Sequence, residues 1–411
     1  MRDIYSCANC CIAATAAKDG DDGLFFNRNP RDLLPIRADT SRARIYGQKT
    51  NEPLSAYIID SVFVTDAVAI DDAPLNQRAW VAQERYLSSG TIHFTQELLF
   101  WECHERVTSE QYPWGVVPAR GIILLGYSAD YTLKSRVDRY RDCLSSSHWS
   151  SSDTGKHEIF SSIHEAWCQF RKTYSSLNLT KEEDILVALN GVAQAVAELT
   201  NDFLVAGLWR DRLIEDLCWR RLTQEGVYST DAPSRPSIWR APTWSWASIN
   251  RAVEGRVLWW EHKSYAERIR EMAVIEDMIV DQSPSGELAD ASLKLKCRLM
   301  PISPPDSVGG RWAPYDVVVF LDDCTINNAE DLGDELSLVV LRQYTFMVDG
   351  GVQGILVLPS RIKTGSYERV GYFELTAQDL FRPERSARAG QILENVLDAH
   401  HKAQETTIEL I

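Results

Sequence analysis

The sequence predicts a mixed α+β chain built from more than one folded unit, and three observations carry that expectation. The length of 411 residues exceeds the roughly 250–300 residues at which a single hydrophobic core stops growing. Between 156 and 230 apolar residues recur at helical spacing, whereas from 292 onward they alternate with polar ones, the period of a strand. Near the start, a helical run leads directly into two short β-rich runs separated by a turn, the signature of a hairpin.

In chain order, "IYSCANCCIAATAA" (4–17) reads as the end of a helix followed by a buried strand. "KDGDDG" is a turn, since the glutamate that would close a calcium loop is absent. "AYIIDSVFVTDAVAI" is an extended segment. "PLNQRAWVAQERYLS" is a helix with Pro74 near its start. "GTIHFT" and "ELLFWEC" form the hairpin, turning at Thr95 to Glu97. A serine-rich stretch at 145–155 reads as a linker.

Phe160, Ile163, Trp167, Phe170 and Tyr174 then form one helical stripe. "TKEE" reads as a capping box, with Thr180 as N-cap and Glu183 reaching back, opening a helix through Ile185, Leu189, Val192 and Val196. A third helix is expected over about 209–222, with Arg220 and Arg221 suiting its C-terminal dipole. Beyond Pro233, Trp244 and Trp246 of "TWSWAS" fall on one face of an extended chain. In "SLKLKCRLM" the apolar positions alternate with Lys294, Lys296 and Arg298. "DVVVFLDD", "LSLVVL", "GILVLP" and "YERVGYFEL" continue as strands before a terminal helix and a final strand, "TTIEL". The expected organisation is a first region at 1–105, a connecting segment at 106–155, a helical subdomain at 156–230, a β-rich region at 231–385, and a terminal helix and short strand at 386–411.

Acidic residues outnumber basic ones, 58 to 43, for a net charge of −15. Such a field opposes non-specific binding to nucleic acid or anionic membrane. No apolar run reaches the roughly 20 residues of a spanning helix. "CCIAATAA" is short and flanked by Asp3 and "KDGDDG", so it does not read as a leader. Nine scattered cysteines suit a reducing compartment, and a cytoplasmic location is expected. Cys7 and Cys10 form a CxxC that no second pair completes, so they and Cys11 read as buried thiols and no metal set is assigned.

No nucleophile elbow, phosphate-binding loop, zinc-protease helix or dinucleotide fingerprint occurs, which removes the corresponding enzyme classes. The densest polar cluster is "RAWVAQERYLSSGTIHFTQELLFWECHE" (78–105). Glu84 and Arg85 on its helix, with His93 on the next strand, could bind an anion or transfer protons. The favoured reading is structural: Glu84 and Arg85 as hydrogen bonds that lock helix to hairpin, and His93 as a satisfied half-buried ring in its strand. Phe94, Phe100 and Trp101 read as core, and His400 and His401 as solvent-facing.

That stretch resembles the closing motif of the fungal heterokaryon incompatibility (HET) domain, R-G/A-W-x-x-Q-E-R-x-L-S-x-x-x-L/I-H-F followed by L/F-x-W-E-C. Arg78, Trp80, Gln83, Glu84, Arg85, Leu87, Ser88, His93, Phe94, Trp101, Glu102 and Cys103 match it in order. "MRDIYSCANCCIAATAAKDGDDGLFFNR", "AGLW", "PTWSWAS" and "YERVGYF" are similar to further family segments. The family's opening Y-x-x-L-S-Y-x-W-G and W-I/V-D-x-x-C-I-x-Q motifs are not found, so the resemblance implies that 1–105 is the C-terminal portion of the domain, lacking its N-terminal half. It also implies a partial Toll/interleukin-1 receptor-like α/β fold, a role in fungal non-self recognition and programmed cell death, and a protein partner such as an incompatibility protein. The implied alternative is an NAD-hydrolysing enzyme using Glu84, Arg85 and His93, with NAD as substrate and no bound cofactor. A non-catalytic interaction module is the third reading.

Overall fold

The computed structural model describes residues 2–29, 36–38, 56–58, 70–111, 113, 133–145, 153–222, 235–250, 252–255, 269–304, 312–323, 335–346, 349–376 and 383–411. The chain divides into two compact units, Met1–Asp138 and Arg139–Ile411. Helices and strands occur in both, so the structure is mixed α and β. No helix among the described residues is long and apolar enough to cross a membrane.

In the first unit, α1 (Arg2–Ser6) leads to β1 (Cys11–Ala13). A single turn of 3₁₀ helix, Pro74–Gln77, precedes α2 (Ala79–Leu87). Proline suits such a start, because its missing N–H would be unsatisfied there anyway. The hairpin follows as β2 (Gly90–Phe94) and β3 (Leu99–Cys103), then β4 (Val107–Ser109). These make a four-stranded sheet in the order β1-β2-β3-β4. The β1–β2 pair is parallel and the others antiparallel. Ile70, Leu98 and Phe100 form a small core with Val107 against them. Helix α3 (Leu133–Ser145) begins in this unit.

β1 is not the buried strand expected, since Ile12 is 65% exposed. Cys7 and Cys10 are exposed and Cys11 half-buried, rather than buried thiols. Among the described residues this three-residue strand is paired on one side only, and such a strand does not enclose its own side chains. Of the extended segment expected at 54–70, Ala56–Ile58 is a strand and Ile70 opens the turn toward α2. Its remaining residues, and most of the serine-rich linker, lie outside the described residues.

In the second unit the end of α3 is followed by α4 (Asp153–Tyr174), whose Ile163, Trp167 and Tyr174 are buried as the stripe predicted. Helix α5 (Val187–Thr200) follows a 3₁₀ turn, Glu182–Ile185, capped at Lys181 without a side-chain hydrogen bond. Thr180 therefore caps nothing, because the chain enters the helix through the turn. The helix expected at 209–222 is reduced to α6 (Leu213–Asp216), and β5 (Trp219–Arg221) replaces its C-terminal half. There Arg220 pairs across to Glu254 of β6 (Val253–Gly255). Trp244 and Trp246 are both fully buried, but in a turn rather than a strand. Ser245 caps the short helix Trp246–Ser248 by accepting from the Ala247 N–H.

A nine-stranded sheet dominates this unit. Its strands are β7 (Ile269–Glu271), β8 (Val274–Gln282), β9 (Leu288–Arg298), β10 (Val318–Leu321), β11 (Ser337–Phe346), β12 (Asp349–Pro359), β13 (Ser366–Thr376) and β14 (Glu405–Leu410), with Met300–Pro301 as the ninth. The main order is β7-β11-β12-β13-β14-β9-β8. Leu293, Leu295 and Cys297 are buried while Lys294 is exposed, as alternation requires of a half-buried strand. Helix α7 (Pro383–Lys402) sets Ile392, Leu393 and Val396 against Leu338, Val340, Leu356 and Phe373. The chain then returns as β14, between β13 and β9. His400 is 3% exposed, contrary to the solvent-facing position expected, whereas His401 is exposed. His400 falls on the inward face one turn beyond Val396, with Arg298 donating to its carbonyl.

Candidate functional site

The first unit places a chain of polar contacts where α2 meets the hairpin. In β2 and β3, His93 lies opposite Phe100 and Thr91 opposite Glu102. Because side chains alternate, His93 and Glu102 share one face, and Gly90, Ile92 and Trp101 share the other. Arg85, in the last turn of α2, reaches the first face. Its Nε donates to Glu102 Oε2 at 2.6 Å and its Nη2 to Glu102 Oε1 at 2.9 Å. Its Nη1 donates to Asp71 Oδ1 at 2.6 Å. One guanidinium fork thus bridges two carboxylates, geometry a lysine cannot reproduce.

His93 is 1% exposed. Its Nε2 lies 2.9 Å from Glu102 Oε2 and its Nδ1 3.0 Å from the Thr15 hydroxyl. A carboxylate only accepts, so Nε2 carries the proton, while the Thr15 hydroxyl, which donates to the Ala13 carbonyl at 3.3 Å, meets Nδ1. Burial alone would raise the Glu102 carboxyl. The Arg85 guanidinium and the His93 hydrogen bond outweigh that effect and hold it well below the usual carboxylate range. The sequence Thr15–His93–Glu102–Arg85–Asp71 therefore links five segments, from inside the sheet to a half-exposed rim where the Asp71 side chain is 41% exposed.

Lys134 closes the end of α2. Its ammonium donates to the Ser88 carbonyl and, at 3.4 Å, to the Arg85 carbonyl. These carbonyls have no partner inside the helix, and a cation suits the negative end of its dipole. Burial lowers the Lys134 pKa. The Ser88 hydroxyl donates to the Glu84 carbonyl at 2.7 Å and lies 2.9 Å from Cys11 Sγ.

Of the three residues singled out as catalytic candidates, Arg85 and His93 converge on Glu102. Glu84 is not among the groups that meet Glu102; its carboxylate lies near Tyr5, whose phenol is pushed up to about 12 by burial and by that carboxylate. The other motif residues are dispersed. Arg78 is the exposed N-cap of α2 and uses no side-chain hydrogen bond there. Trp80 and Leu87 are half-buried, and Gln83 and Ser88 are buried. Phe94 meets Phe25 edge-on at 5.6 Å. Trp101 is 37% exposed, so it is not the core residue expected. Its ring lies over Gly90, where an added Cβ would come within 2.2 Å. The Cys103 thiol approaches the Arg106 carbonyl at 3.6 Å.

Thr15, Asp71 and Lys134 belong to this network but were not singled out from sequence. Thr15 and His93 are 78 positions apart, a separation at which no local pattern operates. Asp71 alone had a signal, an acidic residue just upstream of the predicted helix.

Comparison with known families gives one match. Residues 1–84 match the family described as heterokaryon incompatibility protein (HET). The matched segment ends at Glu84, within α2, one residue before Arg85. No curated protein and no solved structure matches the chain.

Proposed function

We propose that this chain, whose residues 1–84 belong to the heterokaryon incompatibility (HET) family, acts in fungal non-self recognition and triggers cell death on encounter with an incompatible partner. The family match carries this reading. The first unit supports an α/β domain of Toll/interleukin-1 receptor-like type, because β1 and β2 are parallel neighbours with α2 between them in the chain. A helical crossover of this kind is the usual link between parallel strands.

The reading is non-enzymatic. Supporting it, both oxygens of Glu102 are engaged by Arg85 and one also by His93, while Glu84 lies beside Tyr5. A general acid or nucleophile needs a carboxylate within reach of substrate and a proton or lone pair to spare. The network instead braces helix against hairpin, leaving its surface for a protein partner. Conditional expression of the chain in a filamentous fungus is expected to reduce viability while cellular NAD stays constant until death. Normal growth at confirmed protein levels would overturn the proposal, and an early fall in NAD would favour the hydrolase alternative.

A further inference from the structure

The second unit holds a buried cluster that the HET reading does not use. His164 and Cys168 stand one turn apart on the same face of α4, and Asp216 ends α6. Their relative exposures are 5%, 3% and 1%. One donor atom from each lies within 4.8 Å of the others. His164 Nε2 is 3.1 Å from Asp216 Oδ1 and 4.0 Å from Cys168 Sγ. Around a tetrahedral ion with bonds of 2.0–2.3 Å, neighbouring donors are roughly 3.3–3.8 Å apart, so small side-chain movements would close the set.

Two further observations point to a ligand. Among the described residues His164 Nδ1 and Glu215 Oε1 are both buried without a hydrogen-bond partner; they lie 3.8 Å apart, and Arg342 Nη1 forms an ion pair with the same Glu215 oxygen at 3.6 Å. A carboxylate behind the imidazole is the arrangement that orients metal-binding histidines. Asp216 is also held from behind, because its Oδ2 accepts the Trp209 N–H at 2.8 Å. Arg171 donates to Asp216 Oδ1 at 3.2 Å and approaches Cys168 Sγ at 3.7 Å, anchoring both atoms from one side.

We propose that His164 Nε2, Cys168 Sγ and Asp216 Oδ1 bind a divalent transition-metal ion of the zinc class, with Glu215 positioning the imidazole. A thiolate and an imidazole select such ions over magnesium or calcium, which prefer all-oxygen sets. Binding displaces the Cys168 thiol proton and the His164 Nε2 proton to solvent, leaving Nδ1–H to donate toward Glu215 Oε1. The fourth position falls to water.

The test uses the full chain, stripped with chelator and titrated with Co²⁺. The expected result is about one equivalent bound, as for a single zinc-type site, with a thiolate-to-cobalt charge-transfer band. That band should vanish in Cys168→Ser and persist in Cys297→Ser. Glu215→Gln should weaken binding about tenfold to a hundredfold, as loss of a partner behind the imidazole does. If Cys168→Ser does not fold, the combined variant Cys7→Ser, Cys10→Ser, Cys11→Ser decides, because these clustered exposed and half-buried thiols are the rival ligands and the band must survive their removal. No band in wild type, a band that survives in folded Cys168→Ser, or a band lost with the three N-terminal thiols would overturn the proposal and leave a metal-free ion-pair cluster.

Discussion

Arg85 and Glu102 meet through two hydrogen bonds, 2.6 Å from Nε to Oε2 and 2.9 Å from Nη2 to Oε1, tying the end of α2 to the C-terminal half of β3. The Glu102 side chain is 14% exposed and that of Arg85 27%. Removing one partner leaves the other charge partly desolvated. For fully buried pairs that costs about 3–5 kcal/mol, and the partial exposure of Arg85 reduces the expectation to about 2 kcal/mol. Arg85→Met should therefore lower amide-exchange protection in α2, β2 and β3 by about that amount. Arg85→Lys should recover only part of it, because an ammonium cannot span both oxygens.

The same pair sets an acid response. The Glu102 carboxyl is depressed in the fold, so its contribution is complete above the unfolded value of about 4.3 and is lost as pH falls below it. Between pH 5 and pH 3, protection of β2 and β3 amides should fall in wild type. In Glu102→Gln it should start lower and change less across that interval. Equal slopes in the two proteins would remove Glu102 as the titrating group.

Gly90 and Trp101 give a steric prediction. A Cβ at position 90 would sit 2.2 Å from the Trp101 ring, forcing the indole away from the sheet. Overpacking of this kind costs about 1–3 kcal/mol. Gly90→Ala should destabilise the hairpin by that amount, and Trp101→Ala in the same chain should relieve most of it. A double-mutant cycle measures the coupling, and additive effects would contradict the contact.

His400 predicts a response of the opposite chemical kind. Burial, together with the Arg298 and His401 charges, pushes its pKa down to about 4. The folded chain keeps the imidazole neutral where the unfolded chain, with a value near 6.5, takes up a proton. Stability of the second unit is therefore complete above about pH 6.5 and declines as pH falls toward 4. At about 1.4 kcal/mol per unit the loss approaches about 3 kcal/mol. His400→Gln should flatten the decline, measured by denaturant unfolding across that range.

Elements set by local pattern were legible in the sequence. The alternation at 292–297 announced a strand because one sheet face is buried, and the α4 stripe announced a helix for the equivalent reason. Residues 209–222 were not legible. Leu213 and Leu217 fit a helix, but Arg369 donates to the Leu217 and Trp219 carbonyls. Those carbonyls would otherwise serve a continuing helix, and their partner lies about 150 positions away. His400 misled for a related reason: a polar residue in a terminal helix reads as exposed until the sheet beneath it is known.

Legibility of the site divides along the same line. Arg85, His93 and Glu102 fall within one 26-residue motif, whereas Thr15, Asp71 and the cluster around His164 and Asp216 arise only when distant segments meet. His164 and Cys168 are one helical turn apart, but the third member, Asp216, lies 52 positions from His164, beyond any local spacing.

The most direct test is the viability of a filamentous fungus expressing, at matched protein levels, wild type, Arg85→Met, Glu102→Gln and the surface control Lys294→Met. The account predicts death with wild type and with the control, and survival with either variant of the Arg85–Glu102 pair. Survival with wild type, or undiminished killing by both pair variants, would contradict it.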